Sequence, residues 1–203
     1  MVKLGYHLAE TIDKNNDSST FSSNSNWWKR LWALKLPKKV KIFVWRVIND
    51  DLPTAVNLLH RKVIQSSACS LCNCSRETLV HALFLCTRAQ QVWSLLPSFT
   101  AVPNISQLNG FEIFSSLAAA TSNSDLERIL CRMWSIWTER NMETHGTKPK
   151  LASLICTFAD NYVQQYINSS LQQTSLESSS SAQSCSSSME QNNGNTCPTV
   201  TVK

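Results

Sequence analysis

The chain has 203 residues, of which 16% are charged and only 4 are Gly, with a net charge of +5. That balance excludes a fibrous or generally disordered protein and leaves room for one domain with appendages. No apolar run reaches the roughly 18 residues of a membrane-spanning helix, and Met1-Val2-Lys3-Leu4-Gly5-Tyr6-His7 opens no signal peptide. An intracellular protein with reduced thiols and no membrane partner is therefore expected, in the nucleus or the cytoplasm.

Residues 1–26 read as a lead-in followed by a flexible Ser/Asn/Asp loop from Lys14 to Asn26, with order returning at Trp27-Trp28. Lys38 to Asn49 patterns as an amphipathic helix. Val40, Phe43, Val44, Val47 and Ile48 share one face, Lys38, Lys41, Trp45, Arg46 and Asn49 the other, and Pro37 sits at its start. Asp50-Asp51-Leu52-Pro53 stops it, and Thr54 caps a short helix reaching Arg61.

Next comes the most specific pattern in the chain. Cys69, Cys72, His81 and Cys86 follow as Cys-x2-Cys-x8-His-x4-Cys, four soft or borderline ligands within eighteen residues. Such a set suits one tetrahedral zinc. Four protein ligands leave no open position, so one structural Zn2+ is expected and not a catalytic one. Cys74 is a rival ligand, but Cys72-x-Cys74 is a poorer bite for one metal. A helix over Glu77 to Leu85 would carry His81. On a continuous helix, Cys86 would diverge from it by about 140°, so the helix is expected to end or bend at Cys86.

A further turn carries Ala89, Val92 and Trp93, and Pro97 to Gly110 reads as a loop. Phe111 to Ala120 is a candidate helix. Ser124-Asp125-Leu126-Glu127 reads as a capping box opening a helix with Leu126, Ile129, Leu130, Met133 and Trp137 on one face, closed by Gly146 and Pro149. Leu151 to Leu171 is expected to be helical, apolar at Leu151, Leu154, Ile155, Phe158, Tyr162 and Tyr166. The Ser/Gln/Asn-rich tail, residues 172–203, is expected to be disordered. Cys131 and Cys156 read as core thiols, and His7, His60 and His145 as ordinary histidines.

Several of these segments together resemble the reverse-transcriptase zinc-binding domain of plant LINE-type, non-LTR retroelement polyproteins. They are Trp32-Ala-Leu-Lys-Leu-Pro-Lys-Lys-Val-Lys-Ile-Phe-Val-Trp-Arg46, Leu52-Pro53-Thr54, Leu58-Leu59-His60-Arg61, the Cys pair with Glu77-Thr78-x2-His81, and Cys86-x6-Trp93. Trp134-Ser-Ile-Trp137-Thr-Glu-Arg140-Asn141 resembles the segment that precedes a ribonuclease H in such chains, so the resemblance covers about residues 1–145. It implies a non-catalytic module that grips nucleic acid beside a polymerase. No polymerase or ribonuclease H is expected here. Residues 172–203 hold only Glu177 and Glu190 as acids, and Phe158-Ala-Asp160-Asn161 has Asn where a polymerase motif has its second Asp.

The expected architecture is mainly α: a zinc-stapled helical domain at 27–97, a helical pair within a connector at 98–171, and the tail. From Trp28 to Lys62 nine cations face only Asp50 and Asp51, a net +7. Lys38, Lys39, Lys41, Trp45, Arg46, Arg61 and Lys62 are the candidate contacts to RNA or DNA. For Trp45, packing beneath Trp27, Trp28 or another segment is preferred over stacking on a base, because an isolated exposed Trp is uncommon. The competing functional class is a protein-interaction scaffold whose Trp-rich helices dock another domain, and a remnant without activity is a third reading. For the Trp134–Asn141 segment itself, a core helix is preferred over a docking helix.

Overall fold

The computed structural model describes residues 21–73, 76–96 and 104–186, and it is mainly helical as the sequence implies. The helices are α1 (Phe21–Ala33), α2 (Lys38–Ile48), α3 (Ala55–His60), α4 (Thr87–Trp93), α5 (Gly110–Ala120), α6 (Asn123–Thr144) and α7 (Ala152–Ser186). A π-turn over His81–Leu85 precedes α4, and a 3-10 turn over Ile105–Gln107 precedes α5. Among the described residues there is no strand and no helix long and apolar enough to cross a membrane.

α2 forms because its apolar residues repeat at helical spacing, and its buried face carries the expected Val40, Phe43, Val44 and Val47. That face packs against α5 and α6. Leu31, Leu36, Leu83, Ile113, Leu126, Leu130 and Met133 complete a shared core. The described residues up to Val163 form one compact unit, and those from Gln164 on form a second. The boundary between zinc domain and connector that the sequence suggests at residue 97 lies outside the described residues.

Four local features depart from the sequence reading. Residues 21–26 belong to α1 and not to a loop, because the weak helix propensity of Ser and Asn is overridden by tertiary contacts of the same helix. Trp27 meets Phe111 and Phe114 of α5 at ring-centroid distances of 6.3 and 6.4 Å, and Leu31 is fully buried. The cap of α6 is Ser122, whose hydroxyl accepts from the Asp125 amide at 3.2 Å. Glu127, expected in a capping box, is instead buried and accepts from the Lys35 amide, tying α6 to the α1–α2 connection. The capping box actually present is Asn109 with Glu112 at the start of α5.

The fourth departure concerns α7. Its buried residues are Ile155, Cys156, Ala159 and Val163, whereas Leu151, Leu154 and Phe158 are exposed. Apolar spacing marks a helix here but not which side meets the core. Its backbone also runs to Ser186, past the expected end at Leu171, since no Pro or Gly interrupts residues 152–186. Residues 1–20, 74–75, 97–103 and 187–203 lie outside the described residues, and with them most of the expected lead-in, the first half of the expected Pro97–Gly110 loop and the last part of the tail; the rest of that loop holds the 3-10 turn at Ile105–Gln107.

α6 ends as its sequence predicts. Gly146 has φ +88°, its amide bonds the Glu143 carbonyl at 3.0 Å, and the Thr147 amide reaches back to Met142 at 3.0 Å. This Schellman arrangement needs the left-handed conformation that Gly adopts freely. Gly110 has a different constraint. A Cβ there would stand 1.8 Å from the Val47 carbonyl oxygen and 2.7 Å from its carbon. The α5 start thus rests directly on the backbone at the end of α2. Gly110→Ala is expected to lower stability by about 1–3 kcal/mol or more, since the obstructing atoms are main chain. Chemical denaturation of the zinc-loaded protein checks this, and an unchanged midpoint would contradict it.

Candidate metal centre

The ligand site is assembled from a turn and an irregular helix end. Cys69 and Cys72 flank a tight turn closed by the Asn73 amide donating to the Cys69 carbonyl at 2.9 Å, with Asn73 itself at φ +58°. His81 opens the π-turn, and Cys86 terminates it with extended geometry, φ −59° and ψ 138°. The Cys86 amide bonds the His81 carbonyl at 2.8 Å, an i→i+5 closure. This wider turn brings Cys86 back over His81, which resolves the angular mismatch of a regular helix. The Thr78 hydroxyl, accepting from the His81 amide at 3.1 Å, fixes the entry to the turn.

All four predicted ligands converge. The sulfurs of Cys69, Cys72 and Cys86 and a ring nitrogen of His81 lie within 4.8 Å of one another. Cys69 Sγ is 3.9 Å from Cys86 Sγ, and Cys72 Sγ is 3.2 Å from His81 Nε2. A tetrahedral zinc with sulfur at about 2.3 Å holds its sulfurs about 3.8 Å apart, so the donor set fits the ion in chemistry and in size. Cys69, His81 and Cys86 are buried and Cys72 is half-buried. Burial pushes the Cys69 thiol up, and pushes Cys86 up to about 12. Backbone amides of Leu71 and Cys72 at Cys69, and of Arg88 at Cys86, act in the opposite direction. A bound dication would supply the charge that lets these buried sulfurs exist as thiolates. Cys74, the rival ligand, lies outside the described residues.

Behind the ligands sits a group that spacing rules alone do not flag. Glu77 is 1% exposed, and its carboxylate accepts from the Ala55 amide at 2.9 Å and from Arg140 Nε at 2.7 Å. Arg140 Nη2 donates to its second oxygen, and Cys69 Sγ lies 3.9 Å from the first. One carboxylate thus joins the start of α3, the Cys turn and α6. Arg140 is held in turn by Asn141 Oδ1 at 2.9 Å and by the Trp137 ring at 5.0 Å. Trp93 stacks on Phe84 at 5.5 Å, and its indole donates to the Leu83 carbonyl at 2.8 Å, bracing the π-turn. The signal for these roles lies in the motif segments that contain Glu77, Trp93 and Arg140-Asn141.

The basic candidates are not gathered so cleanly. Lys41 is buried: its ammonium donates to the Trp32 carbonyl at 2.7 Å, at the C-terminal end of α1, and desolvation lowers its pKa. Arg46 and Arg61 both engage Asp51, at 3.5 and 2.7 Å. Lys39 lies 4.6 Å above each of the Trp134 and Tyr162 rings. Lys38 and Lys62 are exposed. Trp45 is 39% exposed and does not sit beneath Trp27 or Trp28, because those rings are taken up against α5 and Trp32. Asp160, of the polymerase-like tetrapeptide, pairs with Arg132 at 2.9 Å.

Fold and site define a helical domain stapled by a Cys3His zinc centre. Residues 6–93 match the family described as zinc-binding in reverse transcriptase, and this part of the chain is similar to that zinc-binding domain. The matched range ends at Trp93, so the Trp134–Asn141 segment lies beyond it. Over 69 residues the chain is 28% identical to an Arabidopsis thaliana protein named "Putative ribonuclease H protein", a match covering 34% of this chain and 11% of that relative. No solved structure matches the chain.

Proposed function

We propose that the chain is a non-catalytic, sequence-independent nucleic-acid-binding module whose zinc is purely structural. The observation that carries the reading is the set of exposed cations without an acidic partner. Lys29, Lys35, Lys38 and Lys62 are exposed, and among the described residues none of them is in an ion pair. The closed ligand set argues against chemistry at the metal. Such a module contacts phosphates through lysines, and its binding weakens steeply with salt.

The set of candidate cations is therefore narrower than the sequence suggests. Lys41, Arg46 and Arg61 are committed inside the fold. Replacing Lys35 and Lys38 with Glu is expected to weaken binding to a labelled RNA–DNA hybrid uniformly across sequences. The salt slope should fall by roughly 0.7–0.9 for each phosphate that is no longer neutralised, with zinc content unchanged. Unaltered affinity and slope would move the site elsewhere. A second reading, a protein-docking scaffold, is favoured by Ile42, 51% exposed, beside the half-exposed Trp45 on one side of α2. Under that reading the unmodified protein binds no nucleic acid at low salt.

A further inference from the structure

Away from the metal centre, three aromatic side chains make one patch. Trp134 of α6 and Phe158 and Tyr162 of α7 have ring centroids 5.4 Å (Trp134–Tyr162), 5.7 Å (Phe158–Tyr162) and 6.1 Å (Trp134–Phe158) apart. Their planes are inclined by only 27°, 12° and 35° in the same order. In a column of three rings the outer pair would stand well beyond the spacing of neighbours. Three near-equal distances mean that the rings form one compact, offset-packed cluster and not a column. Phe158 is 51% exposed, and Trp134 and Tyr162 are half-buried.

The charge at this surface is positive. Lys39 Nζ lies 4.6 Å from the Trp134 and Tyr162 centroids, a cation held over two ring faces. Lys38 beside it in sequence is exposed and unpaired with any acid among the described residues. The nearby acid, Asp160, is already engaged by the buried Arg132 at 2.9 and 3.0 Å. A half-exposed aromatic cluster with a cation over it complements a flat ring that carries a phosphate.

We propose that Trp134, Phe158, Tyr162 and Lys39 form a stacking site for unpaired bases of a single-stranded nucleic acid. The proposal rests on the nucleic-acid reading above and adds the location and the strandedness. Phe158, the most exposed of the three rings, is the one on which an incoming base stacks, and Lys39 supplies the cation for that nucleotide's phosphate. Duplex bases are stacked on each other and cannot reach it, so the site discriminates single strand from duplex.

Fluorescence anisotropy on the zinc-loaded full chain tests this, with a labelled single-stranded RNA dodecamer and a duplex of the same sequence. Phe158→Ala, at a position exposed enough to tolerate truncation, is expected to weaken the single-strand complex roughly 5- to 150-fold, the range for loss of one stacked base. Duplex affinity should stay unchanged, and Phe158→Tyr should keep single-strand affinity near that of the unmodified protein. Single-strand binding by Phe158→Ala equal to that of the unmodified chain would overturn the platform alone, as would an equal loss for both nucleic acids. No binding of either form by the unmodified chain at low salt would overturn the nucleic-acid reading as well.

Discussion

Cys86→Ser is expected to abolish stoichiometric zinc and the cooperative unfolding of the region 69–93. The substitution removes one of four converging ligands at a position 2% exposed. Structural zinc in small modules contributes about 10–16 kcal/mol of apparent binding free energy, which is also folding free energy. No local packing term at a single Cys approaches that. Cys131→Ser provides the control: Cys131 is equally buried but sits in the α6–α7 core, 3.5 Å from the Ala159 carbonyl, away from the ligands. It should lower the melting temperature modestly and keep one zinc. Chelation of the unmodified protein should reproduce the Cys86→Ser result. Because burial holds the Cys86 and Cys69 thiols protonated in the absence of metal, zinc must displace their protons. Retention should therefore fall as pH falls. Full zinc and an unchanged melting curve in Cys86→Ser would contradict the ligand assignment.

The second large effect is expected at Glu77→Ala. Removing this carboxylate leaves the Arg140 guanidinium without its partner in a mostly buried site and the Ala55 amide at the start of α3 without its acceptor. Breaking a buried ion pair from one side costs about 3–5 kcal/mol, roughly 6–20 °C of melting temperature for a chain of this size. The sign of the partner experiment is informative. With Arg140→Met added, no unpaired charge remains, and part of the stability should return. Thermal unfolding of the zinc-loaded single and double variants measures both. A decrease under about 1 kcal/mol for Glu77→Ala would mean that the pair is only a surface contact.

These two residues also show what the sequence can and cannot reveal. The four ligands are legible because coordination chemistry constrains residue type and spacing together, and the misfit of His81 and Cys86 on a regular helix correctly marks a break. The device that answers it, a π-turn, follows from backbone closure and has no residue signature. The buried faces of α2 and α6 are legible from period alone. α7 carries apolar residues on more than one side, so its period cannot select the face made by Ile155, Cys156, Ala159 and Val163. Lys41 and Glu127 defeat the same logic. A charged residue at a surface-like position is buried when a helix-end carbonyl or a backbone amide of another element awaits it, and that is a tertiary fact. Net charge marks the basic segment, but Asp51 alone takes up two of its arginines.

The most direct test of a structural Cys3His zinc is X-ray absorption at the zinc edge on the purified full chain, with metal stoichiometry measured on the same sample. One zinc per chain, with three sulfurs at about 2.3 Å and one nitrogen at about 2.0–2.1 Å, is the predicted result. A shell of four sulfurs would place a Cys such as Cys74 where His81 is assigned, and a bound water or substoichiometric metal would contradict a closed structural centre.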